Sequence, residues 1–264
     1  MIYNALLGFS QKVNSNIKLF VIFIIAACVA NLLLSALLAL PWGGLASASC
    51  QWDGVWYSDI VSNGYSRLPL LYDDKRLAQA SWAFFPLYPL LTSALKYLFV
   101  LSTQWAGLLI NIALWPLLVF LCYRDIELRD IRIDRQLFVI FFVLYPFNIW
   151  YTVQYSEAVY GVTLMTAIVA LRSRWIGLAA LSCALLALSR PTGFMMTVCL
   201  SIWWLFRKPT VASIFTFSKV RDRLFESLLL IAAGGVGLSL FVLYLFHLIG
   251  DGFAFAHVEI AWHK

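Results

Sequence analysis

The sequence predicts an all-α polytopic membrane protein, with about seven transmembrane helices and one interfacial or re-entrant helix over 84–101. Three observations predict it. Hydrophobic residues make up 62% of the 264 and charged residues only 12%, with a mean hydropathy of +0.85, whereas soluble domains carry about a quarter charged residues. Charge-free apolar runs recur along the chain at lengths that match or approach a ~30 Å hydrocarbon layer. The basic residues collect in short loops between alternate runs, the sorting expected of cytoplasmic loops.

Taken in order, Leu19–Leu40 carries no charge and is long enough to cross. It exceeds a signal-peptide core, and Ala46-Ser47-Ala48 lies too far beyond the charged flank for cleavage, so it reads as a retained first helix. An outer-face loop over 43–103 follows. Within it, Pro86 and Pro89 break the start of Phe84–Leu101, leaving about 12 residues from Leu90, or ~18 Å of helix. Lys96 then falls inside it, where a lipid-facing charge costs a few kcal/mol. This segment is expected not to cross. The remaining runs are Gln104–Tyr123, Gln136–Ser156, Ala158–Leu171, Trp175–Ser189, Pro191–Phe206 and Ser227–Gly250. The three from Ala158 to Phe206 are short, and are read as spans whose charged ends snorkel or whose walls pack on neighbours. With the N-terminus cytoplasmic, most of the 19 basic residues, Lys12, Lys18, Arg124, Arg129, Arg172, Arg207 and Lys208 among them, fall inside. Arg67, Lys75, Arg76, Lys96, Arg190 and Lys264 remain outside. Counting 84–101 as a crossing would place the Arg124–Arg135 loop outside, against that rule.

The net charge of +6 is accounted for by these loops, so a nucleic-acid partner is not expected. Cys28, Cys50, Cys122, Cys183 and Cys199 show no paired spacing and read as small buried hydrophobes. The chain reads as one domain over 1–264. Ala233 and Gly237 in "AAGGVGLSL" read as small-residue helix packing. The Arg124–Arg135 loop, with Asp125, Glu127, Asp130 and Asp134 interleaved, reads as a solvated segment. No phosphate-binding Gly-rich loop and no Asp-x-Asp pattern appears, since Asp73 and Asp74 are adjacent. Asp53, Asp59, Glu157, Arg190, Asp251 and His257 all fall on the outer side, where ionisable groups at a membrane edge are functional candidates.

"WDGVWYSDIVSNGY", "AFFPLYPLL", "YPFNIWYTVQYSEAVYG", "ALSRPTGFMM" and "GDGFAFAHVEIAWHK" occur in an order that resembles the phosphatidylinositol-glycan class V (GPI mannosyltransferase 2-like) family of mannosyltransferases and its bacterial relatives. The resemblance covers nearly all of the chain from residue 51. It implies a fold C glycosyltransferase with an outer- or lumenal-face site and a polyprenyl-phosphate-linked sugar donor, usually of mannose. It further implies a glycan or glycolipid acceptor and no metal or organic cofactor. Eukaryotic members commonly carry a histidine shortly after the Trp-Asp pair; Val55, Trp56 and Tyr57 stand there instead. That departure favours a bacterial-type relative in the plasma membrane over an endoplasmic-reticulum enzyme. The family continues for several helices past the last motif, so the chain is expected to be incomplete at its C-terminus.

Sugar transfer from a lipid phosphate needs an activated acceptor hydroxyl, a stabilised phosphate leaving group and exclusion of water. Asp53 is the expected general base, with Trp52, Trp56 and Tyr57 shaping the sugar site; the alternative is an Asp-Gly turn leaving a helix beside aromatic-belt tryptophans. Asp59 is a second carboxylate candidate, ~120° from Asp53 if the stretch is helical, or a solvated acid. Arg190 is expected to pair with the donor phosphate, Pro191 opening a helix whose positive end faces the same anion; alternatively it snorkels to head groups. Glu157 either contacts substrate or sits in the first turn of a helix capped by Ser156. His257 is the weakest binding candidate. A transporter or flippase is the rival reading, and an inactive fragment or partner subunit a third. Sugar, acceptor and oligomeric state stay open.

Overall fold

The computed structural model describes residues 2–68, 79–207 and 217–262. Among them every regular element is helical. Lys75, Arg76, Lys208 and Lys264, assigned to faces by sequence, lie outside the described residues, as do Asp73 and Asp74.

Helix α1 (Ile2–Leu38) ends on a 3-10 turn (Leu40–Trp42), followed by short α2 (Leu45–Ala48) and α3 (Asp53–Asn63). A second 3-10 turn (Ser81–Ala83) leads to α4 (Leu87–Phe99), α5 (Thr103–Leu128) and α6 (Arg135–Leu144). A third (Pro146–Tyr151) precedes α7 (Glu157–Arg172), α8 (Ile176–Ser189), α9 (Pro191–Phe206) and α10 (Phe217–Ile249). The tail forms α11 (Ala254–His257) and a last 3-10 stretch (Val258–Trp262).

Among the described residues, three helices are long and apolar enough to cross a bilayer: Ile17–Leu38 of α1, α5, and Arg221–Ile249 of α10. Helices α6, α8 and α9 are shorter apolar helices. The run Gln136–Ser156 is not one helix. It is helical to Leu144, Tyr145 turns extended (φ −61°, ψ 122°), and Pro146 starts the 3-10 turn. A residue before proline is pushed out of helical geometry, and that restriction outweighs the apolar continuity of the run. Helix α4 starts at Leu87, earlier than expected, with Pro89 inside its first turn, where a missing N–H leaves no intrahelical bond unmade. Its 13 residues reach only ~20 Å, short of the hydrocarbon layer.

Helix α8 is the hub, lying against α7, α9 and α10. Apart from Leu186, its buried face is made of small residues, Ala179, Ala180, Ser182, Cys183, Ala187 and Ser189, which lets neighbouring backbones come close. A Cβ added at Gly237 of α10 would lie 2.1 Å from the Ala184 carbonyl oxygen, and one at Gly193 of α9 would lie 1.9 Å from that of Leu186. Gly237 therefore packs on α8 as the sequence suggested. One core holds Leu171, Ala179, Cys183, Trp204 and Leu230; another, at the opposite end of α8, holds Tyr57, Phe84, Tyr88 and Val159.

The Arg124–Arg135 segment is exposed at Arg124 and from Arg129 to Asp134, as read from sequence, but Asp125 departs from that reading. Helix α5 continues through it to Leu128, and Asp125 is buried (5% exposed) because Arg172, at the end of α7, reaches across to pair with it; Arg129 pairs with the same carboxylate.

The α8–α10 contact gives a direct test. Gly237→Val should lower the thermal midpoint of the detergent-solubilised chain, on the order of 1–3 kcal/mol of overpacking. Gly235→Ala, where a Cβ meets nothing within 4 Å, should leave it unchanged or raise it. Equal midpoints for the two variants would remove the close approach.

Candidate functional site

The segment that carries the Trp-Asp pair is helical from Asp53 onward, so Asp53 occupies the first turn of α3. Trp52 precedes it at φ 46° and ψ −112°, a positive-φ conformation that bulky side chains rarely adopt. The turn is held in place by Gln154, a buried side chain the sequence reading passed over. Its Nε2 donates to the Ala46 carbonyl at 2.8 Å and to Ser49 Oγ at 2.9 Å, and its backbone N–H donates to Ser49 O at 3.2 Å. Gly54 packs against the Gln154 backbone. On the far side of the same segment, Asn111 of α5 donates to Val153 O and, at 2.9 Å, to Tyr155 O.

Arg190 is the single residue between α8 and α9. It is extended (φ −160°, ψ 157°), and Pro191 opens α9, as expected from sequence. Its Nη1 donates to Glu157 Oε1, forming an ion pair with 36% and 26% of the two side chains exposed. Burial disfavours the charge, but Glu157, with Tyr57 and Asp53 nearby, outweighs it and holds the guanidinium above its ordinary value. Among the described residues, the remaining Arg190 donors have no protein partner.

Asp53, Tyr57, Arg190 and Thr192 line one cavity of about 220 Å³, together with Phe84, Phe85 and Glu259. Tyr57 is buried, and burial pushes its phenol above the ordinary value, so it stays protonated and donates to Ser156 Oγ at 2.9 Å. Ser156 does not cap α7: its hydroxyl accepts from Tyr57, and it makes no capping bond to the helix. Trp56 is not among the lining residues but stacks on Phe84, which is, with ring centroids 5.6 Å apart. Glu259 was not singled out in the sequence. Its signal was an acid in the same tail as Asp251 and His257, carried to the cavity because α11 packs on the 3-10 turn at Ser81–Ala83.

Three expected residues stand apart from the cavity. Trp52 is exposed and tilts against Trp150, centroids 6.5 Å apart. Asp59 is exposed and accepts from Asn63 Nδ2 at 2.7 Å. His257 Nδ1 meets Asp251 Oδ2 at 2.7 Å, both largely exposed, and that contact holds the Asp251 carboxyl below its usual range. Among the described residues, no three His, Cys, Asp or Glu side chains gather as metal ligands.

A second, larger recess of about 1070 Å³ adjoins the site. It runs along α6 and the following 3-10 turn, from Asp134 and Leu137 through Phe141 and Phe147 to Tyr155 and Glu157. Its wall is mainly aromatic and aliphatic, with Asp134 at one end and Asn148 and Glu157 towards the other. Asn148 is 5% exposed, and its Nδ2 has no hydrogen-bond partner; Glu157 Oε2 is likewise unpaired. Buried polar atoms without partners are uncommon and mark places where a ligand can complete the bonding. The Glu157–Arg190 pair is thus the shared wall of a small polar cavity and a long apolar groove.

The Tyr57–Ser156 bond is testable by a double-mutant cycle. Tyr57→Phe alone should cost about 1–3 kcal/mol, since it leaves the buried Ser156 hydroxyl without its donor, and adding Ser156→Ala should recover part of that loss. Strictly additive unfolding midpoints would show the two groups to be uncoupled.

No family model, no curated protein and no solved structure matches this chain.

Proposed function

We propose that the chain is a membrane glycosyltransferase of the fold C type. On this reading it moves a sugar, most simply mannose, from a polyprenyl-phosphate donor to a hydroxyl acceptor at the face bearing Asp53 and Arg190. The shorter helices α6, α8 and α9, together with α7, then complete the count of seven crossings. The observation that carries the reading is the meeting of Asp53 and Arg190 in one cavity, although one follows the first long helix and the other joins α8 to α9.

The chemistry divides among named groups. Asp53 accepts the acceptor hydroxyl's proton as that oxygen attacks the anomeric carbon. The bond from that carbon to the phosphate oxygen breaks on the opposite side, giving inversion, and its electron pair leaves with the phosphate. Arg190 offers the departing phosphate its uncommitted donors, while Glu157 fixes the guanidinium plane through Nη1. The aromatic floor of Tyr57, Phe84 and Phe85 limits water. The α6 groove accounts for the donor's lipid: its apolar wall suits a polyprenyl chain, and Asn148 Nδ2 and Glu157 Oε2 suit the polar end.

Asp53→Asn, assayed for transfer of label from polyprenyl-phosphate-mannose in proteoliposomes, should lose at least about 100-fold in rate while donor binding persists. Asn148→Leu should raise the KM for donor about tenfold with kcat nearly unchanged, the cost of one hydrogen bond to a phosphate-bearing head. Undiminished transfer by D53N removes Asp53 from its role. Substrate uptake by the wild type with no covalent transfer would replace the whole reading with transport.

A further inference from the structure

Helices α7 and α9 each run away from the Glu157–Arg190 pair and end in arginines at the far end of the bundle. Arg172 closes α7, Arg174 stands in the turn to α8, and Arg207 follows α9; Arg223, near the start of α10, completes the group. At ~1.5 Å per residue, the 16 residues of α7 put this cluster roughly 24 Å from the cavity. Neither the base nor the phosphate partner of the proposed transfer has any part in it.

The cluster is built on two adjacent tryptophans. The Arg172 guanidinium lies 5.0 Å from the Trp203 ring and that of Arg174 5.0 Å from the Trp204 ring, while Arg207 lies 5.5 Å from each. Trp204 is anchored in turn by its indole N–H, which donates to Glu226 Oε2 at 2.7 Å. Stacking fixes guanidinium planes that would otherwise sweep freely.

Charge is not balanced here. Asp125 serves Arg172 and Arg129, and Glu226 serves Arg174 at 3.3 Å. Arg207 and Arg223 have no carboxylate partner among the described residues. Arg223 instead donates through Nη1 to the Arg207 carbonyl, which brings the Arg223 guanidinium to the Arg207 backbone. Burial and the adjacent Arg172, Arg223 and Arg174 charges hold the Arg207 guanidinium below its ordinary value. Arginines that merely sort to one side of a membrane gain from spreading apart, since like charges repel. Gathering them over a shared aromatic platform is costly unless an anion sits among them.

We propose that this far-end cluster binds a phosphate group, with Arg207 as its principal donor and Arg223 and Arg174 flanking. Planar guanidinium forks match phosphate oxygens in bidentate geometry. The position, at the ends of apolar helices, favours the head group of an acidic phospholipid over a soluble phosphate. This inference stands whether or not the chain transfers sugar.

The test uses the full chain in detergent, titrated separately with phosphatidylglycerol, phosphatidylcholine and inorganic phosphate, binding being read by native mass spectrometry and thermal stabilisation. Wild type should retain phosphatidylglycerol in preference to phosphatidylcholine. Arg207→Gln should weaken that retention about tenfold, the worth of one charge-assisted hydrogen bond. Arg124→Gln, which removes an exposed arginine paired with Glu127, should match wild type. Should R207Q fail to fold, R207K makes the same comparison, keeping the charge but losing the fork, with severalfold weakening expected. Binding of inorganic phosphate that depends on Arg207, without a lipid preference, would keep the site and reassign its source. Lipid retention unaffected by R207Q or R207K, equal loss with R124Q, or retention of none of the three ligands would overturn the proposal.

Discussion

The stretch between Leu144 and Glu157 leaves α-helical geometry amid apolar surroundings, and the rest of the molecule is arranged around satisfying it. A buried backbone without partners costs several kcal/mol per group in such a setting. Side-chain amides make up the deficit. Asn31 of α1 donates to Val143 O at 3.2 Å, Asn111 of α5 takes Val153 O and Tyr155 O, and Gln154 ties the segment to the turn after α2. Each amide comes from a different part of the chain, so α1, α5 and the approach to α3 are pinned to one another through this segment. Its path also delivers Glu157 to Arg190. Had the run continued as one helix, Glu157 would be carried onward by α6 and would have no fixed relation to the α8–α9 joint.

That joint imposes a matching constraint from the other side. With Arg190 alone between two helices, its backbone has no room to drift, and Gly193 lets the first turn of α9 press against the Leu186 carbonyl. The guanidinium is therefore placed by backbone geometry before any partner is met. Glu157 then fixes its plane. The surrounding charge is of mixed sign: Asp53 and Glu259 line the cavity with Arg190, and Glu157 pairs with its guanidinium.

Much of this was legible in the sequence, and the failures have common physical causes. The long apolar helices follow from composition alone. Pro191 at the start of α9 followed from a local rule, and the shared side of Asp53 and Arg190 from charge sorting, whereas the helix beginning at Asp53 was left open. The break at Tyr145–Pro146 was hidden because hydropathy is blind to backbone restriction. Ser156 fitted a capping pattern, yet a distant phenol, Tyr57, claimed its hydroxyl. Asp125 looked solvated among alternating charges because its partner, Arg172, lies one helix hairpin away. Gln154 and Glu259 were missed for the same reason: their roles depend on contacts that no spacing along the chain encodes.

Helices α7, α8 and α9, at 16, 14 and 16 residues, are about 21–24 Å long, while α5 and α10 exceed the ~30 Å hydrocarbon thickness. A helix of that length set in a bilayer beside α5 and α10 cannot bring both ends to head-group level at once, and charges at its recessed end must be paired, stacked or wet. The charges at the two ends of α7–α9 are paired and stacked: Arg190 with Glu157 at one, arginines over Trp203 and Trp204 at the other. The small residues of α8 complete the logic. They let α7, α9 and α10 pack closely on α8, so that the charged groups at either end of the short helices are walled by protein.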